Sequence, residues 1–226
     1  MAGNHDCSNL LFQLDGLAYH IAGEEHGDAM ARLLSASFMH EPMSRALGLT
    51  MMELHEFVSR FIPECTANRL SVVAVSERSP DELAGVFINR DFKAPLPLGV
   101  PDDFPRFEPI FDALMSVDEQ YETQVAGLQP GQAVDLWMVG VAGHFSRRGV
   151  AGNLFRISAQ VAHDRAFERC VTECTGHFSQ RAALDVGFQE RASVSYKDFL
   201  FRGLPVFATI PEPHLRVGLY ERVLVA

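Results

Sequence analysis

Basic charge is scarce in this chain. Its 226 residues carry 19 Lys and Arg against 29 Asp and Glu, a formal net charge of −10, which argues against nucleic-acid binding, since that needs a basic surface. Long apolar runs are missing as well. The stretch 199–210 is interrupted by Arg202 and Pro205, so no membrane span is expected. No N-terminal segment joins basic residues to an apolar core, and no secretory signal is expected. The four cysteines, Cys7, Cys65, Cys170 and Cys174, lack C-x-x-C spacing; Cys170 and Cys174, four apart in an expected strand, read as buried thiols, and a reducing cytoplasmic setting fits. No H-E-x-x-H or similar spacing occurs among nine histidines, so no metal is expected. G-x-S-x-G is absent, as is any internal repeat. What is present is 47% hydrophobic and 21% charged residues, ordinary for a soluble globular protein and enough for a substantial core.

Periodicity gives the order of elements. Residues 1–16 are polar and unpatterned and read as a loose terminus; 17–226 read as one domain. A short strand at 17–22 precedes a helix whose apolar face is Met30, Leu33, Leu34, Ser37 and Phe38, ending near Met39. Thr50 and Glu53 form a T-x-x-E capping box for a second helix that stops near Pro63. Strands at 70–76 and 83–89 flank a turn at 79–82, forming a hairpin. A Pro-rich crossing and an additional helix follow, an insertion over 93–131, with Phe107 and Phe111 expected mostly in the core alongside Phe199, Phe201 and Phe207. The remainder reads as strand (136–141), helix, strand (170–174), helix (179–186), a strand from 187 through 196, and a last strand at 214–224. The class is α/β, or α+β.

The most informative stretch is 134–162. Leu136 to Val139 and Val141 form a buried-strand run, and Gly140 allows a bulge or a close backbone approach. After a basic turn containing Arg147 and Arg148, Val150, Leu154, Ile157 and Val161 fall at helical spacing. Small residues at Gly149, Ala151 and Gly152 leave first-turn amides uncovered, a seat for a pyrophosphate that the two arginines and the helix dipole complement. The stretch is neither a G-x-x-x-x-G-K-[ST] loop nor a G-x-G-x-x-G fingerprint. The alternative reading is a glycine-containing loop that starts an ordinary helix.

The segment 146–151, S-R-R-G-V-A, resembles the acyl-CoA loop of the GNAT superfamily of N-acetyltransferases, Gln/Arg-x-x-Gly-x-Gly/Ala, with Ser146 departing at the first position. The order of elements from about Leu17 onward is also similar to that family's fold. The resemblance implies a mixed, mostly antiparallel central sheet flanked by helices, with the helical insertion between its third and fourth strands. It implies acetyl-CoA as co-substrate, with Arg147, Arg148, Gly149, Val150, Ala151 and Gly152 on the pyrophosphate, and Met138, Val139 and Val141 on the strand that guides the pantetheine arm. The segment Phe38-Met39-His40-Glu41-Pro42-Met43 resembles the F-x-x-E-P-L element of the arylalkylamine branch, which assigns Glu41 the role of general base; by position alone a solvated loop carboxylate is the alternative. Residues 172–188, ending in Gly187-Phe188, resemble that branch's strand-to-helix element, placing Ser179 near the CoA sulfur, with an N-cap as its alternative role. Where many members carry an acidic Tyr, this chain has Ala183.

The implied activity is direct acetyl transfer to a small-molecule amine, with no nucleic-acid or membrane partner and a homodimer paired through the final hairpin edge as an open option. A non-catalytic acyl-CoA-binding module stays open, as do polyamines, amino acids, aminoglycosides or a protein N-terminus as acceptors.

Overall fold

The structure, a computed structural model, describes residues 9–97, 100 and 102–224. Eight strands form one sheet in the order β1-β2-β3-β4-β5-β6-β8-β7: β1 (Leu10–Leu14), β2 (Leu17–Ile21), β3 (Val72–Ser76), β4 (Ser79–Asp91), β5 (Ala133–Val141), β6 (Arg169–Cys174), β7 (Gln189–Ser195) and β8 (Arg216–Val223). The helices are α1 (Gly27–Phe38), α2 (Pro42–Ala46), α3 (Met51–Ala67), α4 (Glu108–Gln124), α5 (Val150–Asp164) and α6 (His177–Asp185). All neighbouring strands are antiparallel except β5 and β6. The expected mixed, mostly antiparallel sheet flanked by helices is therefore present, and the inserted helix, α4, lies between β4 and β5.

Apolar patterning decides the layers. Alternate residues of β2–β5 face α5 and α6 on one side, with Tyr19, Phe87, Leu154 and Phe155 at the centre. The other face is covered in two halves. Helices α1 and α3 pack on β2–β5 through Leu34, Phe57, Phe61 and Ile88, and α4 packs with β6, β7 and β8 through Val117, Tyr121, Val171 and Leu219. A groove runs between the halves, above the junction of β5 and β6.

Several boundaries differ from the sequence expectation. Residues 1–8 and Cys7 lie outside the described residues, but Leu10–Leu14 is a paired edge strand rather than a loose segment, held by backbone bonds to β2 despite its exposed side chains. Helix α3 passes through Pro63 to Ala67. The proline removes one N–H, yet buried Cys65 and the Thr66 hydroxyl, which donates to the carbonyls of Ile62 and Pro63 at 2.9 and 3.1 Å, hold the last turn. Strand β4 begins at Ser79, already paired with Ser76, so the turn is Glu77-Arg78. Helix α6 starts at His177, two residues before the expected start, and α2 has no counterpart in the periodicity because five residues are too few to display one. Among the described residues no helix is long and apolar enough to cross a membrane.

Candidate active site

The parallel pairing of β5 with β6 is brief: Ala133 to Asp135 against Arg169 to Val171. At its end the Thr172 hydroxyl donates to the carbonyl of Leu136 at 2.7 Å. Beyond that point the strands diverge, and a cavity of about 260 Å³ opens, lined by Trp137, Met138 and Val139 on one side and 172–176 on the other. Ligand pockets run roughly 300–1,000 Å³, so this is a small one. A bulge shapes its wall. Ile88 and Asn89 are adjacent on β4, but their partners are Met138 and Leu136, so Trp137 is the extra residue. Trp137 and Met138 consequently both face the α1–α3 layer, and the alternation resumes with Val139 on the opposite face. Gly140 serves a different end: a Cβ there would stand 2.8 Å from Ser37 Oγ, so its absence lets α1 lie directly on β5.

The expected pyrophosphate seat continues from β5. After Val141 a short turn at Gly143–Phe145 leads into residues 146–149, where Arg147 and Gly149 take positive φ values of 62° and 78°. Arg148 lies over the ring of buried Phe145, 5.4 Å from its centroid. Gly149 caps α5, whose first internal bond is Asn153 N–H to Gly149 O at 3.0 Å. The amides of Val150, Ala151 and Gly152 precede that bond and meet no acceptor among the described residues. Gly85 seats this helix end: a Cβ there would meet Leu154 Cδ1 and Val150 Cγ1, each at 2.9 Å. Of the residues expected to bind the cofactor, Met138 and Val139 line the cavity; Val141 and 147–152 lie outside its lining, along the continuation of the same strand.

On another wall of the cavity, Glu41 is the N-cap of α2, two residues past the Met39 C-cap of α1. Its Oε1 accepts from the Met43 amide at 3.0 Å and its Oε2 from the Ser44 amide at 2.6 Å, with Pro42 at the first helical position. It lines the cavity together with exposed His40. Ser179 also lines it, in the first turn of α6, where its hydroxyl donates to the Gly176 carbonyl at 2.8 Å. The N-cap is Gly176, not Ser179. The thiol of Cys174 lies 3.9 Å from the Thr172 hydroxyl, and burial pushes that thiol up to about 12. Ala183 is wholly buried in the α5–α6 core, away from the cavity.

Other residues complete the site. Phe57 stacks on Phe107 at 4.4 Å between centroids, and Phe61 meets Trp137 edge-on at 4.4 Å. Phe57, Phe107, Phe111 and Trp137 wall the cavity; Phe107 is core as expected and also lines it, whereas Phe199 and Phe207 are core alone. His214, preceding β8, accepts from the His177 amide through Nδ1 at 3.1 Å and lines the cavity. Burial lowers its basicity, and the nearby Glu41 charge opposes that effect. The Tyr196 hydroxyl donates to the Thr175 carbonyl; burial, then the Glu41 charge, raise it. Glu173 lines the cavity too, and neighbours Asp118 and Asp135. No sequence signal distinguishes His214 or Glu173, because each reaches the site from a separate element; Asp118, one of the acidic residues readable as the wet face of the inserted helix, has its Oδ1 buried instead.

No protein-family model matches the chain. Among solved structures, it is similar to arylalkylamine N-acetyltransferase 2 from Aedes aegypti, at a TM-score of 0.79 and 21% identity over 93% of this chain and 100% of that one. It is likewise similar to the C-terminal condensation domain of Ebony in complex with beta-alanyl-dopamine, at 0.81 and 16% over 92% and 99%. A third is the polyamine N-acetyltransferase of Drosophila melanogaster, at 0.72 and 17% over 92% and 100%. At such identities the likeness carries the fold.

Proposed function

With the GNAT fold as premise, we propose that the protein transfers an acetyl group from acetyl-CoA to the amine of a small molecule, by direct attack in a ternary complex. The observation that carries this reading is the divergence of β5 from β6 over an aromatic-walled cavity, with the open N-terminus of α5 continuing from β5. In this reading the amides of Val150, Ala151 and Gly152, with Arg147 and Arg148, hold the CoA pyrophosphate. The pantetheine arm runs along Val141, Val139 and Met138 into the cavity.

The chemistry assigns the rest. An alkylamine with a pKa of about 10.4 arrives protonated and must lose a proton before it can attack the thioester. Glu41 supplies negative charge at the cavity wall, and its capping bonds still leave each oxygen a second lone pair for the ammonium. The amides of β5 near Val139 face the developing oxyanion. Ser179 stands by the departing sulfur; a thiol pKa of about 8.5 makes the thiolate an adequate leaving group without a strong acid. The walls of Phe57, Phe107, Phe111 and Trp137 favour an aryl- or alkylamine, which accords with the acceptor classes named for two of the neighbours.

A second reading keeps the acceptor and changes the acyl donor, because one neighbour is a condensation domain and Ser146 departs from the family's CoA loop. Both are tested by thiol release from acetyl-CoA across a panel of arylalkylamines and polyamines, alongside calorimetric CoA binding. Amine-dependent release supports acetyl transfer. Absence of CoA binding favours another donor, and binding without turnover of any amine leaves a non-catalytic module.

A further inference from the structure

Three carboxyl groups meet beneath the acceptor end of the cavity. Glu173 lines the cavity just past Thr172, whose hydroxyl marks the apex of the splay. Its side chain lies on the α4 face of the sheet, as does that of Val171 two residues earlier. Asp118 of α4 sits one helical turn beyond cavity-lining Leu114, and Asp135 of β5 lies two residues before Trp137; both are within hydrogen-bonding reach of Glu173. Asp135 is only 5% exposed.

Charge balance makes this arrangement unusual. Oδ1 of Asp118, Oδ1 of Asp135 and Oε1 of Glu173 are shut off from water and meet no donor among the described residues. Ionised carboxylates have no hydrogen to offer one another, so the bonds between them close only when the group holds a proton. Arg90 opposes Asp135 from β4, but its Nη2 donates to the carbonyls of Ala94 and Pro95 at 2.5 and 2.7 Å and its guanidinium lies over Trp137. Lys93 and Glu122, paired with each other at 2.7 Å, act on Asp118 with opposite sign. Glu41, by contrast, has both oxygens engaged by the amides that start α2.

We propose that Glu173 is the base that takes the acceptor's ammonium proton, with Asp118 and Asp135 as positioning residues that share it and pass it out of the cavity. The inference rests on the acetyl-transfer reading. The ammonium gives one proton to ionised Glu173, and the nitrogen lone pair forms a C–N bond to the thioester carbonyl. As the C–S bond breaks, its electron pair leaves on sulfur, and the nitrogen's second proton neutralises the thiolate. The proton on Glu173 moves to the neighbouring carboxyls and then to water, so one proton is released per turnover. Burial, then the charge of Asp135, push Glu173 up to about 8. That lies within roughly 2–3 units of an alkylammonium at about 10.4, whereas an ordinary Glu at about 4.3 lies about 6 units away, so the transfer is far less uphill.

The test is kcat/KM against pH for one accepted amine, in the wild-type protein and in E173Q, D135N and E41Q, with acetyl-CoA affinity measured in parallel. E173Q is expected to lose about 10²–10⁴ in kcat with acetyl-CoA affinity intact. D135N removes the like charge beside Glu173 and should shift the acidic limb of the profile to lower pH. E41Q should raise KM and leave that limb where it is. Wild-type kcat and profile in E173Q, or an acidic limb lost in E41Q alone, overturns the proposal. If E173Q does not fold, an unmoved limb in folded D135N does the same. A wild-type protein that acetylates no amine overturns the parent reading instead, which separates the two failures.

Discussion

Glu41 illustrates how one residue can be legible in sequence while its environment is not. Its place between a helix end and a proline marked it, but its capping of α2 appears only when Met43 and Ser44 turn their amides toward it. Glu41→Ala therefore should lose roughly 0.5–2 kcal/mol of stability through the missing cap, read by denaturant melts. It should also weaken amine kcat/KM, while acetyl-CoA affinity holds. Asp135 and Glu173 were invisible as a pair because they occupy different strands and face each other only through the β5–β6 pairing. Their stability effect has a definite sign. Burial raises Asp135 to about 8 against an ordinary 3.8, with the Arg90 charge opposing it and the Asp118 charge adding to it. The folded state then binds the proton more tightly than the unfolded one, so stability is fully present below about pH 4 and is lost as pH rises toward 8. Asp135→Asn abolishes that loss: melts should show it gaining on the wild type from pH 5 to pH 8, and a difference independent of pH would contradict the assignment.

At the scale of elements, periodicity recovered those that are long and one-sided, such as α1, α3, α5 and the β3–β4 hairpin. It missed those set by tertiary partners. Strand β1 has five exposed side chains and exists through its backbone bonds to β2. Of the two roles the sequence leaves open for Gly140, a bulge or a close approach, the structure shows the approach, of α1, while the bulge falls at Trp137, where nothing in the sequence marks it. Gly85 carries the same logic for α5. Gly85→Ala should cost roughly 1–3 kcal/mol by pressing on Val150 and Leu154, seen as a lower melting temperature, and should weaken CoA binding more than amine binding because the displaced element is the helix proposed to seat the pyrophosphate. Helix α4 is tied to β8 by the Tyr121 hydroxyl, which donates to Glu221 Oε1 at 2.6 Å. Tyr121→Phe should cost roughly 1.5–3 kcal/mol, the range for hydrogen bonds to charged groups, and loosen the wall formed by Ile110, Phe111 and Leu114.

For the molecule as a whole, the stretch proposed to hold the acyl donor is compact in sequence, because a strand, a turn and a helix N-terminus lie consecutively in the chain. The cavity is assembled from α1, α2, α3, β4, α4, β5, α5, β6, α6 and the segment before β8, so apart from the local motifs around Glu41 and at 172–188 its residues carry no spacing that a linear reading can detect. The two helical halves on that face bring together an aromatic wall and buried carboxyls, the features on which the proposed amine site rests. The most direct measurement is thiol release from acetyl-CoA by the purified protein, scanned over arylalkylamines and polyamines. The account predicts release that depends on both the amine and the protein, at a 1:1 ratio to N-acetylated product. CoA binding with no release for any amine would contradict it.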